Sequence, residues 1–133
     1  MELRTSDGKR TVDIGSEDIW FSVYSTAEER LGGFKRKIPL ALEFLKTKEC
    51  TAENAQETAR QINLMRDEFA SIKPEKAVYD MNDKKVKAPW YGKISPVVTS
   101  CANLYTTADG GDLLFEVVGI LTYASIKKKD VTD

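Results

Sequence analysis

The strongest constraint on the fold is an amphipathic pattern in the middle of the chain. Apolar side chains recur every three or four residues between positions 55 and 72, and charged and amide side chains lie between them. This spacing is typical of a helix with one buried face, so the sequence predicts a helix over residues 52–71. Thr51 is in the N-cap position, Glu53 suits the first turn, and Pro74 prevents continuation.

Two further helices are predicted by the same reasoning. The first covers residues 37–47, with Pro39 in its first turn, where a missing N–H is tolerated. Only a few residues separate it from the helix over residues 52–71, so the two should form an antiparallel hairpin. The other covers residues 111–127 and is apolar most of the way round, which predicts packing against both a sheet and the helical hairpin.

Short strands are predicted in the remaining segments. Residues 11–14 alternate polar and apolar, and residues 19–24 are rich in β-branched and aromatic side chains, so a β-hairpin with a turn over residues 15–18 is expected. Further short elements are predicted at residues 77–79 and 103–107 (strands) and 96–102 (a helix). The chain therefore reads as one α+β domain over residues 1–133, with a small antiparallel sheet packed with a helical hairpin and a C-terminal helix.

The composition argues against most kinds of catalysis. The 133 residues include no His, which removes the side chain most used for proton transfer near neutral pH and the commonest metal ligand. Cys50 and Cys101 are too few and too far apart in sequence for most zinc sites. The run from Asp109 to Asp112 is not followed by the Gly-Lys-Ser/Thr of a phosphate loop, and it lacks the alternating carboxylates and final Glu of a calcium loop. We expect no enzyme activity, cofactor or metal, although chemistry based on Asp, Glu, Lys or Tyr stays open.

Charge and hydropathy indicate a cytoplasmic protein. Twenty basic and 21 acidic residues give a net charge of −1, which does not favour binding to nucleic acid. The longest apolar stretch, residues 113–121, is interrupted by Glu116 and Gly119 and is too short to span a bilayer. The first 18 residues contain no apolar run of the kind an export signal needs. We therefore expect no membrane contact and two reduced thiols.

One candidate binding surface is acidic. Residues 1–32 contain seven acidic and four basic side chains, a local charge of −3. Four of the acids, Glu17, Asp18, Glu28 and Glu29, lie on either side of the predicted strand over residues 19–24 and are expected to meet at one edge. Such an edge would attract a basic partner and raise its association rate. The alternative is an ordinary solvated surface.

A second candidate is the irregular stretch over residues 75–94. It contains Trp90 and Tyr91 in a turn, and loops carry many recognition residues. The alternative for Trp90 is that it covers one end of the core. Three lysines in the same stretch resemble a single-strand nucleic-acid site, but the patch is thin, and a solvated loop is favoured. No direct nucleic-acid contact is expected.

The C-terminal third also resembles a family of small bacterial immunity proteins that accompany polymorphic or contact-dependent growth inhibition toxins. The matching segments are Pro89–Trp90, Ile94–Ser95, Thr99–Asn103, Tyr105–Gly110, Asp112–Leu113 and Phe115–Val117. They comprise caps, turns and core positions, so they identify a scaffold and supply no binding residues.

This resemblance implies an inhibitor that acts by binding. Such a protein holds its cognate toxin, the C-terminal domain of an exported protein, in the cytoplasm of the producing cell and covers or distorts the toxin's active site. If the toxin is a nuclease, its phosphate site should be basic and suit the acidic edge, with Trp90 and Tyr91 as aromatic anchors. The alternative function is a small chaperone or adaptor for a secreted effector, and a His-free enzyme is the third reading.

Overall fold

Four α-helices and three short strands make up the computed structural model, which describes residues 1–133, and the predicted α+β class is confirmed. Two short 3-10 helices, Gly32–Lys37 and Pro74–Lys76, lie between them. In chain order the elements are β1 (Glu2–Thr5), β2 (Thr11–Asp13), α1 (Glu17–Arg30), α2 (Pro39–Thr47), α3 (Ala52–Phe69), α4 (Leu113–Lys127) and β3 (Val131–Thr132).

The sheet is antiparallel with the order β2-β1-β3, so the first strand of the chain is the central one. Leu3 of β1 lies opposite Val12 of β2, and Thr5 of β1 lies opposite Val131 of β3. Leu3 and Thr5 are buried while the intervening Arg4 is exposed, as the alternation along a strand requires. One face of this small sheet therefore belongs to the core.

The helical hairpin and the C-terminal helix are both confirmed. α2, α3 and α4 begin and end within two residues of the predicted bounds, and α2 and α3 pack against each other. α4 packs on α3 and on the sheet, as its apolar composition predicts. Its remaining side, however, is open to solvent, since Phe115 and Ile126 are 60% and 70% exposed.

The segment over residues 19–24 is not a strand, and this prediction is wrong. It lies inside α1, whose N-cap is Ser16: the Ser16 hydroxyl accepts a hydrogen bond from the Ile19 N–H at 3.2 Å. Trp20, Val23 and Ala27, spaced three and four residues apart, are buried on one face. The cap and this tertiary burial outweigh the strand preference of the local composition. The hairpin partner of β2 is consequently β1.

Trp20 shows how α1 is held in the core. Its ring is nearly fully buried and packs edge-on against Phe44 of α2, with ring centroids 5.7 Å apart. Its indole N–H donates to the Leu45 carbonyl at 2.7 Å. A buried indole needs such a partner, so α1 and α2 are fixed by packing and by hydrogen bonding together.

The elements predicted at residues 77–79, 96–102 and 103–107 are also absent. Residues 70–112 contain only the 3-10 turn Pro74–Lys76 and one isolated bridge between Thr106 and Asp112. Two buried residues of this segment, Val78 and Tyr105, bond to side chains of α1 instead of to a neighbouring strand. Cys101 lies here, and Cys50 lies before α3; both are free and buried. Burial raises the pKa of the Cys101 thiol to about 12 and also raises that of Cys50.

Candidate functional site: a loop clamped to helix α1

Residues 70–112, here called the clamped loop, are fastened to α1 by a closed ring of hydrogen bonds. The Val78 N–H donates to the Thr26 hydroxyl at 2.9 Å, and the Ser22 hydroxyl donates to the Val78 carbonyl at 2.9 Å. The Tyr105 hydroxyl lies 2.8 Å from the Thr26 hydroxyl and 3.0 Å from the Ser22 hydroxyl. If Thr26 donates to Tyr105 and Tyr105 donates to Ser22, every hydroxyl donates once and accepts once.

The ring is shielded from water. Ser22 and Thr26 are fully buried and Tyr105 is nearly so. Burial raises the pKa of the Tyr105 hydroxyl well above its ordinary value, so the phenol stays protonated and remains a donor. Hydrogen bonds in such surroundings polarise one another, and a complete ring holds its members in one geometry.

The loop also bonds to α1 on either side of the ring. The Met81 N–H donates to the Ser25 hydroxyl at 3.2 Å, the Arg30 guanidinium donates to the Lys76 carbonyl at 2.8 Å, and Lys84 forms an ion pair with Glu29. The part of the loop between residues 76 and 84 therefore has a defined path along the helix.

Three aromatic rings continue the clamp outward from the core. Trp90 packs edge-on against Tyr105 on one side and against Tyr79 on the other, with centroid separations of 5.8 Å in each case. Trp90 is half-buried and packs against the main core. It therefore covers one end of the core, and it also forms part of a cleft in the loop.

The cleft has a volume of about 520 Å³ and combines apolar walls with charged edges. Tyr79, Trp90 and Tyr91 line it, and Tyr91 is 64% exposed. The Lys87 ammonium lies 4.6 Å from the centre of the Tyr91 ring, a cation–π arrangement. Its charged lining residues are Arg30, Glu75, Asp80, Lys84 and Lys87. Its size suits one or two large side chains of a partner.

The four predicted carboxylates do not meet at one edge, because α1 replaces the predicted strand. Glu17 and Asp18 lie in the first turn of α1, and Glu28 and Glu29 lie near its end. Glu28 lies eleven positions after Glu17 in the helix, which corresponds to about 16 Å along its axis. The expected continuous acidic edge is therefore wrong.

Three of the four carboxylates are also neutralised by lysines. Glu17 pairs with Lys48 at 2.7 Å, Glu28 pairs with Lys35 at 3.4 Å, and Glu29 pairs with Lys84. The hydrogen bond from Lys48 lowers the pKa of Glu17, and the hydrogen bond from Lys84 lowers that of Glu29.

Asp18 and Glu29 nevertheless remain beside the clamped loop. Burial and then the charge of Asp18 raise the pKa of Tyr79, which packs on Trp90. Glu29 reaches the cleft through Lys84. The structure thus brings Asp18, Glu29, Trp90 and Tyr91 to one surface, while Glu17 pairs with Lys48 just beyond α2 and Glu28 with Lys35 in the 3-10 helix.

The sequence analysis missed the residues that build the clamp, namely Ser22, Thr26, Tyr79 and Tyr105. Their signal is a set of small hydroxyl side chains, Ser22, Ser25 and Thr26, at helical spacing. All three are buried in α1. The pattern is informative only after residues 19–24 are recognised as helix.

The structure offers no group of three or more His, Cys, Asp or Glu side chains that could hold a metal ion. None of its helices combines the length and apolar composition needed to cross a lipid bilayer.

Fold and site together define a small α+β domain whose principal surface feature is a long loop hydrogen-bonded to buried hydroxyls of α1. Residues 5–132 match the model of the family described as Immunity protein 70, and this match covers nearly the whole chain. The chain belongs to this family of immunity proteins, which are in general not enzymes, and the predicted immunity class is confirmed. No curated protein and no solved structure matches the chain significantly. Membership implies a toxin protein as partner.

Proposed function

We propose that this protein neutralises a cognate toxin domain by binding it at the clamped loop. The cleft would receive one or two large side chains of the toxin, with Trp90 and Tyr91 as anchors. Asp18, beside Tyr79, and Glu29, paired with Lys84, would contribute carboxylates nearby. The toxin would be the C-terminal domain of a polymorphic or contact-dependent growth inhibition system, held in the cytoplasm of the producing cell. No catalysis by the immunity protein is needed.

The observation that carries this proposal is an exposed aromatic side chain on a loop that α1 holds in place. Tyr91 is 64% exposed beside a cleft of about 520 Å³. Aromatic anchors supply much of the energy of protein interfaces. A loop that is already ordered also loses little conformational entropy on binding, so more of the contact energy appears as affinity.

Electrostatics would contribute to specificity. The cleft presents Arg30, Lys84 and Lys87 next to Glu75 and Asp80, so its edge carries both signs of charge. If the toxin is a nuclease, cations of its active site would compete with Lys84 for Glu29. Binding to such a toxin should weaken steeply as salt is added.

The test is co-expression of the toxin domain with this protein in a sensitive host. We expect the wild-type chain to restore growth and to co-purify with the toxin in a stoichiometric complex. Tyr91→Ala should weaken toxin affinity roughly 30-fold, the scale of an interface hot spot. Val97→Ala is the matched control, because Val97 is 77% exposed in the same loop but does not line the cleft.

Two outcomes would contradict the proposal. Unchanged affinity in Tyr91→Ala and in Trp90→Ala would show that the toxin binds elsewhere. Binding to a non-toxic partner, with no growth to rescue, would favour a chaperone or adaptor for a secreted effector. Charge reversal of Asp18 and Glu29 then separates their contribution from that of the aromatic anchors.

A further inference from the structure

A second exposed apolar surface lies on α4, among residues that do not line the cleft. Phe115 and Ile126 are 60% and 70% exposed, and Gly119 and Thr122 between them are exposed as well. The intervals of four, three and four residues place all four on one face of the helix. This set is called the α4 stripe below.

Gly119 is unexplained within a single copy of the chain. A Cβ at this position would have no heavy atom within 4 Å, so no internal packing requires a glycine there. Glycine is also among the least favourable residues for a helix interior. What glycine does provide is a low point between two bulky apolar side chains, where another helix backbone can come close.

We propose that the α4 stripe binds the α4 stripe of a second copy, with the two helices antiparallel about a two-fold axis. Read in either direction, the stripe has the order large, small, small, large. An axis between Gly119 and Thr122 therefore places Phe115 of each copy on Ile126 of the other and each Gly119 opposite the other Thr122. Such a self-complementary patch is what a two-fold interface requires.

The charges at the two ends of α4 support this occupant and this direction. At the N-terminal end Asp112 lies 4.0 Å from Arg66, whereas Glu116 has no ion-pair partner; Lys127, Lys128 and Lys129 lie at the C-terminal end. Antiparallel pairing brings each Glu116 onto the basic end of the partner, whereas parallel pairing would place the lysines of the two copies together. Opposite potentials that face each other favour one orientation.

The size of the surface predicts a weak dimer. One pair of helices of this length buries no more than the roughly 1,200 Å² at which stable interfaces begin. Association should therefore depend on concentration and fall in the micromolar range. Since the clefts are left out of this contact, each copy of a dimer would still present its own clamped loop.

Sedimentation velocity over a wide range of concentration tests the proposal. The wild-type mass should rise from 14.9 kDa toward twice that value, and Gly119→Leu should stay monomeric. The leucine has open space in the single copy, so the melting temperature should not fall. Val97→Ala, which removes an exposed apolar side chain elsewhere, should dimerise like wild type.

Charge variants give a second test that does not depend on Gly119. Glu116→Lys should weaken the dimer, and adding Lys127→Glu should restore it, because the two ends then carry opposite charges again. A wild-type chain that is monomeric throughout, or a dimer unaffected by Gly119→Leu and Glu116→Lys, would overturn the proposal. Loss of toxin binding in Gly119→Leu without any wild-type dimer would assign the stripe to the toxin instead. The loop variants report on toxin binding separately.

Discussion

Replacing Tyr105 with phenylalanine would open the hydroxyl ring that clamps the loop to α1 while keeping the buried aromatic ring. The Tyr105 hydroxyl is 2.8 Å from that of Thr26 and 3.0 Å from that of Ser22, and both links disappear. The packing of the ring against Trp90 at 5.8 Å is retained. The variant therefore isolates the polar part of the clamp.

The size of the effect follows from which groups lose a partner. A buried hydrogen bond contributes about 1 kcal/mol net, so two lost links would cost about 2 kcal/mol. Thr26 can redirect its hydroxyl to the Val78 carbonyl, which is 3.2 Å away. With that replacement we expect Tyr105→Phe to lower the free energy of unfolding by about 1–2 kcal/mol.

Thr26→Val should lower the free energy of unfolding more than Tyr105→Phe does, although each variant removes one hydroxyl. The Val78 N–H donates to Thr26 at 2.9 Å and would be left buried without an acceptor. A buried donor left without an acceptor costs about 1–3 kcal/mol, and the link from Thr26 to Tyr105 is lost as well. The predicted order of destabilisation is therefore Thr26→Val, then Tyr105→Phe, then the matched control Tyr79→Phe, whose hydroxyl is outside the ring.

Chemical denaturation followed by circular dichroism measures these differences, and amide hydrogen exchange shows where they arise. Protection should fall at Val78 and Met81 in Tyr105→Phe and stay unchanged in the middle of α3. The assigned ring of hydrogen bonds is refuted if the free energy of unfolding of Tyr105→Phe lies within about 0.5 kcal/mol of the wild-type value, or if Thr26→Val is less destabilised than Tyr105→Phe.

Two further predictions concern other parts of the fold. The Gln61 side chain accepts hydrogen bonds from the Leu40 and Ala41 N–H groups at 2.7 and 3.1 Å, and it therefore caps α2, whose N-cap residue makes no side-chain hydrogen bond. Gln61→Leu should lower the free energy of unfolding by about 2 kcal/mol, as measured by chemical denaturation. The control Gln56→Leu, at an exposed position, should leave it almost unchanged. Hydrogen bonds, first from the Thr5 hydroxyl, lower the pKa of Asp7 from 3.8 to about 2. The ionised Asp7 therefore stabilises the folded state above pH 3.8, and this contribution is lost as the pH falls to about 2. In unfolding curves measured over a series of pH values, Asp7→Asn should be less stable than wild type above pH 3.8, and the two free energies of unfolding should converge as the pH falls to about 2.

The helices that could be predicted from the sequence are those with a local signal, such as regularly spaced apolar residues or a proline in the first turn. α3 has apolar residues every three or four positions and α2 has a proline in its first turn, and both were predicted within two residues. α1 differs because its buried face includes Ser22, Ser25 and Thr26. Their partners lie more than 50 residues away in the sequence, at Val78 and Met81. A local pattern contains no sign of such partners.

The site could be predicted only in part for the same reason. Trp90 and Tyr91 stand out as large aromatics in a polar loop, and both line the cleft. The grouping of Glu17, Asp18, Glu28 and Glu29 depended on a strand between them. In the helix the two pairs of carboxylates are far apart. Lysines just after α2, in the 3-10 helix and in the loop pair with three of the four. The wrong assignment of this one element therefore led to a wrong prediction of where the acidic charge lies.

If the toxin binds at the clamped loop, as proposed above, the clamp would let one scaffold serve different toxins. Residues 70–112 form a segment of a length that is ordinarily either functional or disordered, and α1 supplies the order through the buried hydroxyls of Ser22, Ser25 and Thr26. Val86, Lys87 and Tyr91 lie on the outer side of the loop and make no hydrogen bond to α1. Substitutions there can alter the shape and charge of the cleft without opening the ring at Val78. Specificity would then change in the outer residues while the clamp keeps the loop in position.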